Sequence, residues 1–145
     1  MEVNILKLIY PAVFKPFTDQ SGGYVVEFPD LPGCVTVKLY KDYFKEFYVA
    51  QSDAVRRKIN YCINVVKSVD RVPRTILKNM EDAEGLYEIR VEVGNNIFRI
   101  FCCFDEGSLV ILFNCFQKKT QKTPKQQIER AKKLMKEYFN EKRNG

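Results

Sequence analysis

The stretch from Leu86 to Pro124, LYEIRVEVGNNIFRIFCCFDEGSLVILFNCFQKKTQKTP, constrains the fold more than any other part of the chain. In Leu86–Val93, Tyr87, Ile89, Val91 and Val93 fall on one side and Glu88, Arg90 and Glu92 on the other. A period of two is the mark of a strand with one buried face. Gly94-Asn95-Asn96 tolerates positive φ and can reverse the chain into Ile97–Phe104. Asp105-Glu106-Gly107-Ser108 reverses it again into Leu109–Phe116. The reading is three antiparallel strands in a row, followed by a basic loop that enters a helix.

Loop lengths decide which side chains share a face, because a slip of one residue turns a strand over: a two-residue first loop is assumed here, and a three-residue one would separate Arg90 from Arg99. A two-residue first loop and a four-residue second loop gather Tyr87, Ile89, Val91, Val93, Phe98, Ile100, Cys102, Phe104, Leu109, Ile111, Phe113 and Cys115 on one face. That face is apolar and is expected to lie under helices. The other face then collects Glu88, Arg90, Glu92, Arg99, Phe101, Asn114 and Phe116. Guanidinium groups grip phosphate and aromatic rings stack bases, so this face suits RNA.

At 145 residues the chain is one ordinary domain with room for a sizeable core. It contains no histidine, which removes the commonest general base, the commonest zinc ligand and every Ser-His or Cys-His pair. Five cysteines, Cys34, Cys62, Cys102, Cys103 and Cys115, lack Cys-x-x-Cys spacing and read as reduced, buried thiols of a cytoplasmic protein, with no metal or cofactor expected. No apolar run is long enough to span a membrane, and MEVNILKLIYPAVF lacks the pattern of a signal peptide. The net charge of +6 is uneven: residues 117–145 carry +7, residues 37–116 carry +1 and residues 1–36 carry −2. A local basic segment beside an aromatic sheet face points to a polyanion, against the plainer reading of a solvated lysine-rich helix.

Earlier in the chain, 4–14 and 24–28 read as two strands joined by a turn at Asp19–Gly23, and Pro29–Gly33 breaks regular structure. The segments YPAVF and GGYVVEFPDLPGCVT resemble the opening of HicB-type antitoxins over about residues 5–36. The third strand, helix and DNA-binding segment of that family are not recognisable after Thr36, so neither operator binding nor antitoxin dimerisation is carried over. Residues 1–36 are therefore expected to form a hairpin that leans on a main domain at 37–145, with Val35–Tyr40 shared by both. Asp42–Tyr48 reads as a short helix. Ser52 suits the N-cap of a helix to about Ser68, with Val55, Ile59, Cys62, Ile63 and Val66 as its apolar stripe. In the last helix Thr123 suits the cap, Pro124 the first position and Gln126 a capping box, with Ile128, Ala131, Leu134, Met135, Tyr138 and Phe139 as the buried stripe.

From about Val37 to Tyr138, and above all in Gly85–Gly107 and Leu112–Leu134, the chain resembles the RelE/ParE superfamily of toxins in its HigB-like, phage-related branch. The resemblance implies an α+β fold: an antiparallel sheet with two N-terminal helices and a C-terminal helix, here with an added β-hairpin. It implies a type II toxin with a cognate antitoxin that cleaves mRNA on the ribosome without a metal. Arg90 and Arg99 would then hold the scissile phosphate, with Lys119 and Lys122 completing the catalytic set. Phe101, Phe116, Lys118, Thr120 and Gln121 would contact RNA. The structural alternatives are ion pairs of Arg90 and Arg99 with Glu88 and Glu92, and simple counter-charge at the lysines. Two other functions remain open at this point: a ParE-like toxin acting on a protein target such as DNA gyrase, which has no need of the arginines, and an inactive antitoxin–toxin fusion.

Overall fold

The computed structural model describes residues 2–3, 12–16, 23–27, 36–68, 71–106 and 109–145, and side chains within 36–67, 71–106 and 110–145. The Asp19–Gly22 turn, the Pro29–Gly33 break and Cys34 lie outside these residues. Eight strands are described, β1 (Glu2–Val3), β2 (Ala12–Pro16), β3 (Gly23–Glu27), β4 (Thr36–Tyr40), β5 (Leu77–Asn79), β6 (Tyr87–Val93), β7 (Asn96–Asp105) and β8 (Leu109–Lys118). The helices are α1 (Tyr43–Val49), α2 (Asp53–Ser68) and α3 (Lys125–Asn144). The strands form one sheet in the order β1-β2-β3-β4-β8-β7-β6-β5.

The class is α+β with two helices before the central strands and one after, but the sheet is mixed. β4 joins β8 in parallel, Val37 beside Val110 and Leu39 beside Leu112. β3 joins β4 antiparallel, with Val26 beside Val37, so β4 is shared as expected. The β2–β3 hairpin thus extends the sheet beyond β4, at the opposite end from β5 and β6.

Strand alternation builds two cores. On one face Val37, Leu39, Ile89, Val91, Phe98, Ile100, Cys102, Val110 and Leu112 meet Phe44 and Tyr48 of α1 and Val55, Ile59, Cys62, Ile63 and Val66 of α2. Ser52 caps α2, its Oγ accepting from the Val55 amide at 3.4 Å. Arg56 closes the end of α1, donating from Nε to the Tyr48 carbonyl at 3.1 Å and from Nη2 to that of Val49 at 2.6 Å. On the other face Tyr40, Leu86, Phe101, Cys103, Ile111, Phe113 and Phe116 pack against Ala131, Leu134 and Tyr138 of α3. Each large apolar side chain buried in this way contributes about 1.5–3 kcal/mol, so both helical layers are held firmly.

Two expectations about β8 are corrected. Asp105 pairs with Leu109, leaving three residues in the second loop rather than four, which turns the start of β8 over. Ile111 and Phe113 therefore face α3, not α1 and α2. A bulge then restores the parity: Cys102 pairs with Leu112 but Ile100 pairs with Cys115, so β8 spends three steps where β7 spends two. Beyond the bulge Cys115 packs with the α1–α2 core and Phe116 with α3, as the alternation requires.

The bulge also supplies an anchor for α3. Asn114, buried, donates from Nδ2 to the Gln127 carbonyl at 3.1 Å and to Gln127 Oε1 at 3.0 Å. At the helix's far end Asp105 accepts from Tyr138 Oη at 2.7 Å and from Lys142 Nζ at 2.8 Å. Burial raises the Asp105 pKa, but the bonds from Lys142 and Tyr138 outweigh it and hold the carboxyl below its ordinary value. A depressed carboxyl stabilises the fold above its unfolded pKa, about 3.9, and that stability is lost as pH falls through the lower native value. Tyr138→Phe should cost about 1–2 kcal/mol in chemical denaturation at neutral pH. Asp105→Asn should also destabilise at neutral pH, and the gap to the parent should close in strong acid. A gap that widens in acid would contradict this assignment.

Candidate RNA-contacting face

The site is built from the first reversal. Gly94 adopts φ 59° at the first of two central positions, where a primed hairpin turn favours glycine. Val93 then pairs with Asn96 and, three steps on, Arg90 stands directly opposite Arg99. Residues opposite one another share a face, and Arg99 in turn stands opposite Phe116. The next row holds Glu92, Ile97 and Lys118, and the row on the other side holds Lys78, Glu88 and Phe101. Arg90, Arg99 and Lys118 therefore lie on one sheet face.

Two like charges directly opposite repel, and Arg99 is only 2% exposed. Glu88 answers both problems. Its Oε1 lies 3.2 Å from Arg99 Nε and 3.7 Å from Arg90 Nε, and it is itself buried. These are charge contacts, since neither Nε finds a hydrogen-bond acceptor in good alignment. Arg99 Nη1 donates to the Phe98 carbonyl at 3.1 Å. Burial lowers the Arg99 pKa, Glu88 opposes that and Arg90 adds to it, though a guanidinium stays protonated at any ordinary pH. Arg90 keeps 32% of its side chain in solvent.

Thr123 is a further correction. The α3 N-cap position is Pro124, and no side chain caps it. Thr123 Oγ1 instead donates to Glu88 Oε2 at 3.2 Å, across 35 positions of sequence. One carboxylate thus faces both arginines with one oxygen and holds the end of the basic loop with the other.

The remaining candidates divide. Phe101 is fully buried and Phe116 nearly so, stacked on each other at 5.9 Å between centroids beneath α3. Neither ring offers a face to a base, and the proposed stacking role is withdrawn for both. Lys118 sits half-buried at the end of β8, whereas Lys119, Thr120, Gln121 and Lys122 are exposed in the loop. Thr120 Oγ1 donates to the Lys122 carbonyl at 2.8 Å, which gives the loop a local turn. The contacts of Arg90 and Arg99 with Glu88 are those expected as the structural alternative. Sequence reading missed Lys78, carried by the short edge strand, and the bond from Thr123 to Glu88.

Burial lowers the Lys118 pKa, and the like charges of Arg99, Arg90 and Lys78 lower it further against the pull of Glu88. A lysine that releases its proton more readily than usual is a better proton donor. Among the described cysteines, Cys62, Cys102 and Cys103 are buried free thiols. Burial pushes the Cys62 thiol up to about 11, so it is protonated at neutral pH and suited to packing rather than nucleophilic attack. Among the described residues no helix is long and apolar enough to cross a membrane.

The family model for phage derived protein Gp49-like (DUF891) matches residues 46–136, a span that includes α2, β5 to β8 and most of α3. No curated protein matches the chain. For Lys118, an NMR titration of the ε-methylene carbons should show deprotonation below the ordinary lysine value of about 10.4, and Arg90→Gln should move it upward. A midpoint at or above the ordinary value would contradict the geometry.

Proposed function

Because the chain belongs to the phage-derived Gp49-like family, a family of RelE/HigB-like toxins, we propose that it is the toxin of a type II toxin–antitoxin pair and cleaves mRNA on the ribosome without a metal. A toxin of this kind has an antitoxin as its partner. The observation that carries the nuclease reading is the register: Arg90 faces Arg99 across one ladder, with Lys118 one row away on the same side.

In the proposed reaction the ribose 2′-oxygen attacks the adjacent phosphorus, and the bond to the 5′-oxygen breaks. The products are a cyclic phosphate and a free 5′-hydroxyl. Charge on the phosphate oxygens grows towards the transition state, where fixed cations are worth most. Arg90, with its terminal nitrogens unpaired among the described residues, holds the scissile phosphate, and Arg99 supplies positive potential from beneath it. Lys118 gives a proton to the leaving 5′-oxygen. Lys119 and Lys122 hold flanking phosphates, and the 2′-hydroxyl proton passes to water, since the chain has no histidine to take it. Thr120 and Gln121 reach the backbone or base edges from the exposed loop.

One observation favours a second reading. With Phe101 and Phe116 buried and Arg99 sealed in, the face offers a single open guanidinium and no stacking platform. That poverty suits a toxin of the ParE kind acting on a protein such as DNA gyrase.

Expression from a tight promoter with mapping of transcript ends separates the two. Arrested growth with new 5′-hydroxyl ends is the expected outcome. Arg90→Ala should lower cleavage about 10²–10³-fold and leave the fold intact. Arg99→Ala is a poor probe, because it leaves Glu88 buried beside only half of its charge complement, and breaking such a pair costs about 3–5 kcal/mol. Arrested growth with intact transcripts and inhibited DNA supercoiling would establish the second reading instead.

A further inference from the structure

We propose that Glu88 is the positioning residue of this face: it holds both guanidinium groups to one carboxylate oxygen and, through Thr123, fixes the basic loop beside them. The proposal rests on the nuclease reading above and goes beyond it, since Glu88 neither touches the phosphate nor takes part in bond making.

The geometry that carries it is the split use of the two carboxylate oxygens. Oε1 lies 3.2 Å from Arg99 Nε and 3.7 Å from Arg90 Nε, while Oε2 accepts from Thr123 Oγ1 at 3.2 Å. A contact through Nε leaves the terminal nitrogens of a guanidinium as the edge that can point elsewhere. For Arg90 those nitrogens have no partner among the described residues, and the side chain is one-third open. Arg99 has no such freedom, with one terminal nitrogen already committed to the Phe98 carbonyl.

Glu88 cannot turn away readily. It is 3% exposed and stands opposite Phe101, whose ring is stacked on Phe116 under α3. At that burial its attraction to the arginines is weakly screened. Thr123 adds a second restraint: it ends the loop that follows Lys118 and holds Lys119 and Lys122, and α3 starts two residues later. The carboxylate therefore ties three sequence-distant pieces, β6, β7 and the β8–α3 loop, at the point where a phosphate would sit. A loose tie would cost rate more than affinity, because in-line attack depends on alignment while phosphate attraction depends on charge.

The test uses the full chain and three variants, Glu88→Gln, Glu88→Asp and Thr123→Val. Three readouts are taken: the Nε–Hε resonances of Arg90 and Arg99, affinity for a short RNA with 2′-O-methyl groups throughout, and single-turnover cleavage of mRNA on programmed ribosomes. Glu88→Gln keeps the size and an acceptor for Thr123 but loses the charge. It should shift both arginine resonances together, bind the methylated RNA as well as or better than the parent, and cut at saturation about 10²-fold more slowly. Glu88→Asp should recover part of that rate. Thr123→Val, at a half-buried surface position, should fold normally, shift the arginine resonances less and slow cleavage by a smaller factor without weakening RNA binding. Unmoved resonances in Glu88→Gln, or RNA affinity and cleavage falling in step in Thr123→Val, would overturn the positioning role. A parent chain that cuts no RNA would instead overturn the nuclease reading, and the arginine resonances would still decide whether Glu88 holds the pair.

Discussion

A buried guanidinium without a counter-charge is too costly to keep, and this fold places one, Arg99, in the middle of its sheet. Glu88 is what makes that placement tolerable. The condition for their meeting is the two-residue reversal at Gly94 and Asn95, which sets β6 against β7 with Arg90 across from Arg99. One residue more in that turn would send the two arginines to opposite faces and leave Arg99 among aliphatic side chains. The register of a single hairpin thus decides whether the two guanidinium groups share a face.

The rest of the architecture makes room for that site. α1 and α2 cover one face of the sheet throughout the central strands, whereas α3 covers the other face mainly over β8 and β7. The β6 end of the α3-bearing face is left to polar side chains, Lys78, Glu88, Arg90 and Glu92. α3 is pinned at its start by Asn114 and at its far end by Asp105, so its first turn and the basic loop before it have little freedom to drift. The β8 bulge serves both purposes: it delivers Asn114 to the helix and returns Phe116 to the row of the arginines.

Much of this was legible in the residues, and the failures have physical causes. The period of two in Tyr87–Val93 gave the strand, but Arg90 and Arg99 shared a face only on the assumption of a two-residue turn, which the Val93–Asn96 pairing bears out. The apolar stripes of α2 and α3 named their buried residues. The side assigned to Ile111 and Phe113 went astray because a one-residue difference in loop length is invisible when every nearby residue is apolar and fits either face. Phe101 and Phe116 were read as a stacking surface because a strand pattern says which face a ring is on, not whether a helix lies over it. Thr123 has a capping box's spacing, yet the N-cap position falls one residue later, at Pro124, and the Thr123 hydroxyl donates to a carboxylate in the sheet. No local sequence rule anticipates a bond between positions 35 apart.

RNA phosphate is proposed to be held on the Arg90–Arg99 row, with Lys118 beside it. A crystal structure of the full chain with an oligonucleotide lacking the attacking 2′-hydroxyl tests this most directly. One phosphate should rest on the β6–β7 ladder, its oxygens within about 2.7–3.2 Å of the Arg90 terminal nitrogens and the Lys118 ammonium. An oligonucleotide running along α3 or across α1 and α2, with Arg90 still facing open solvent, would contradict it.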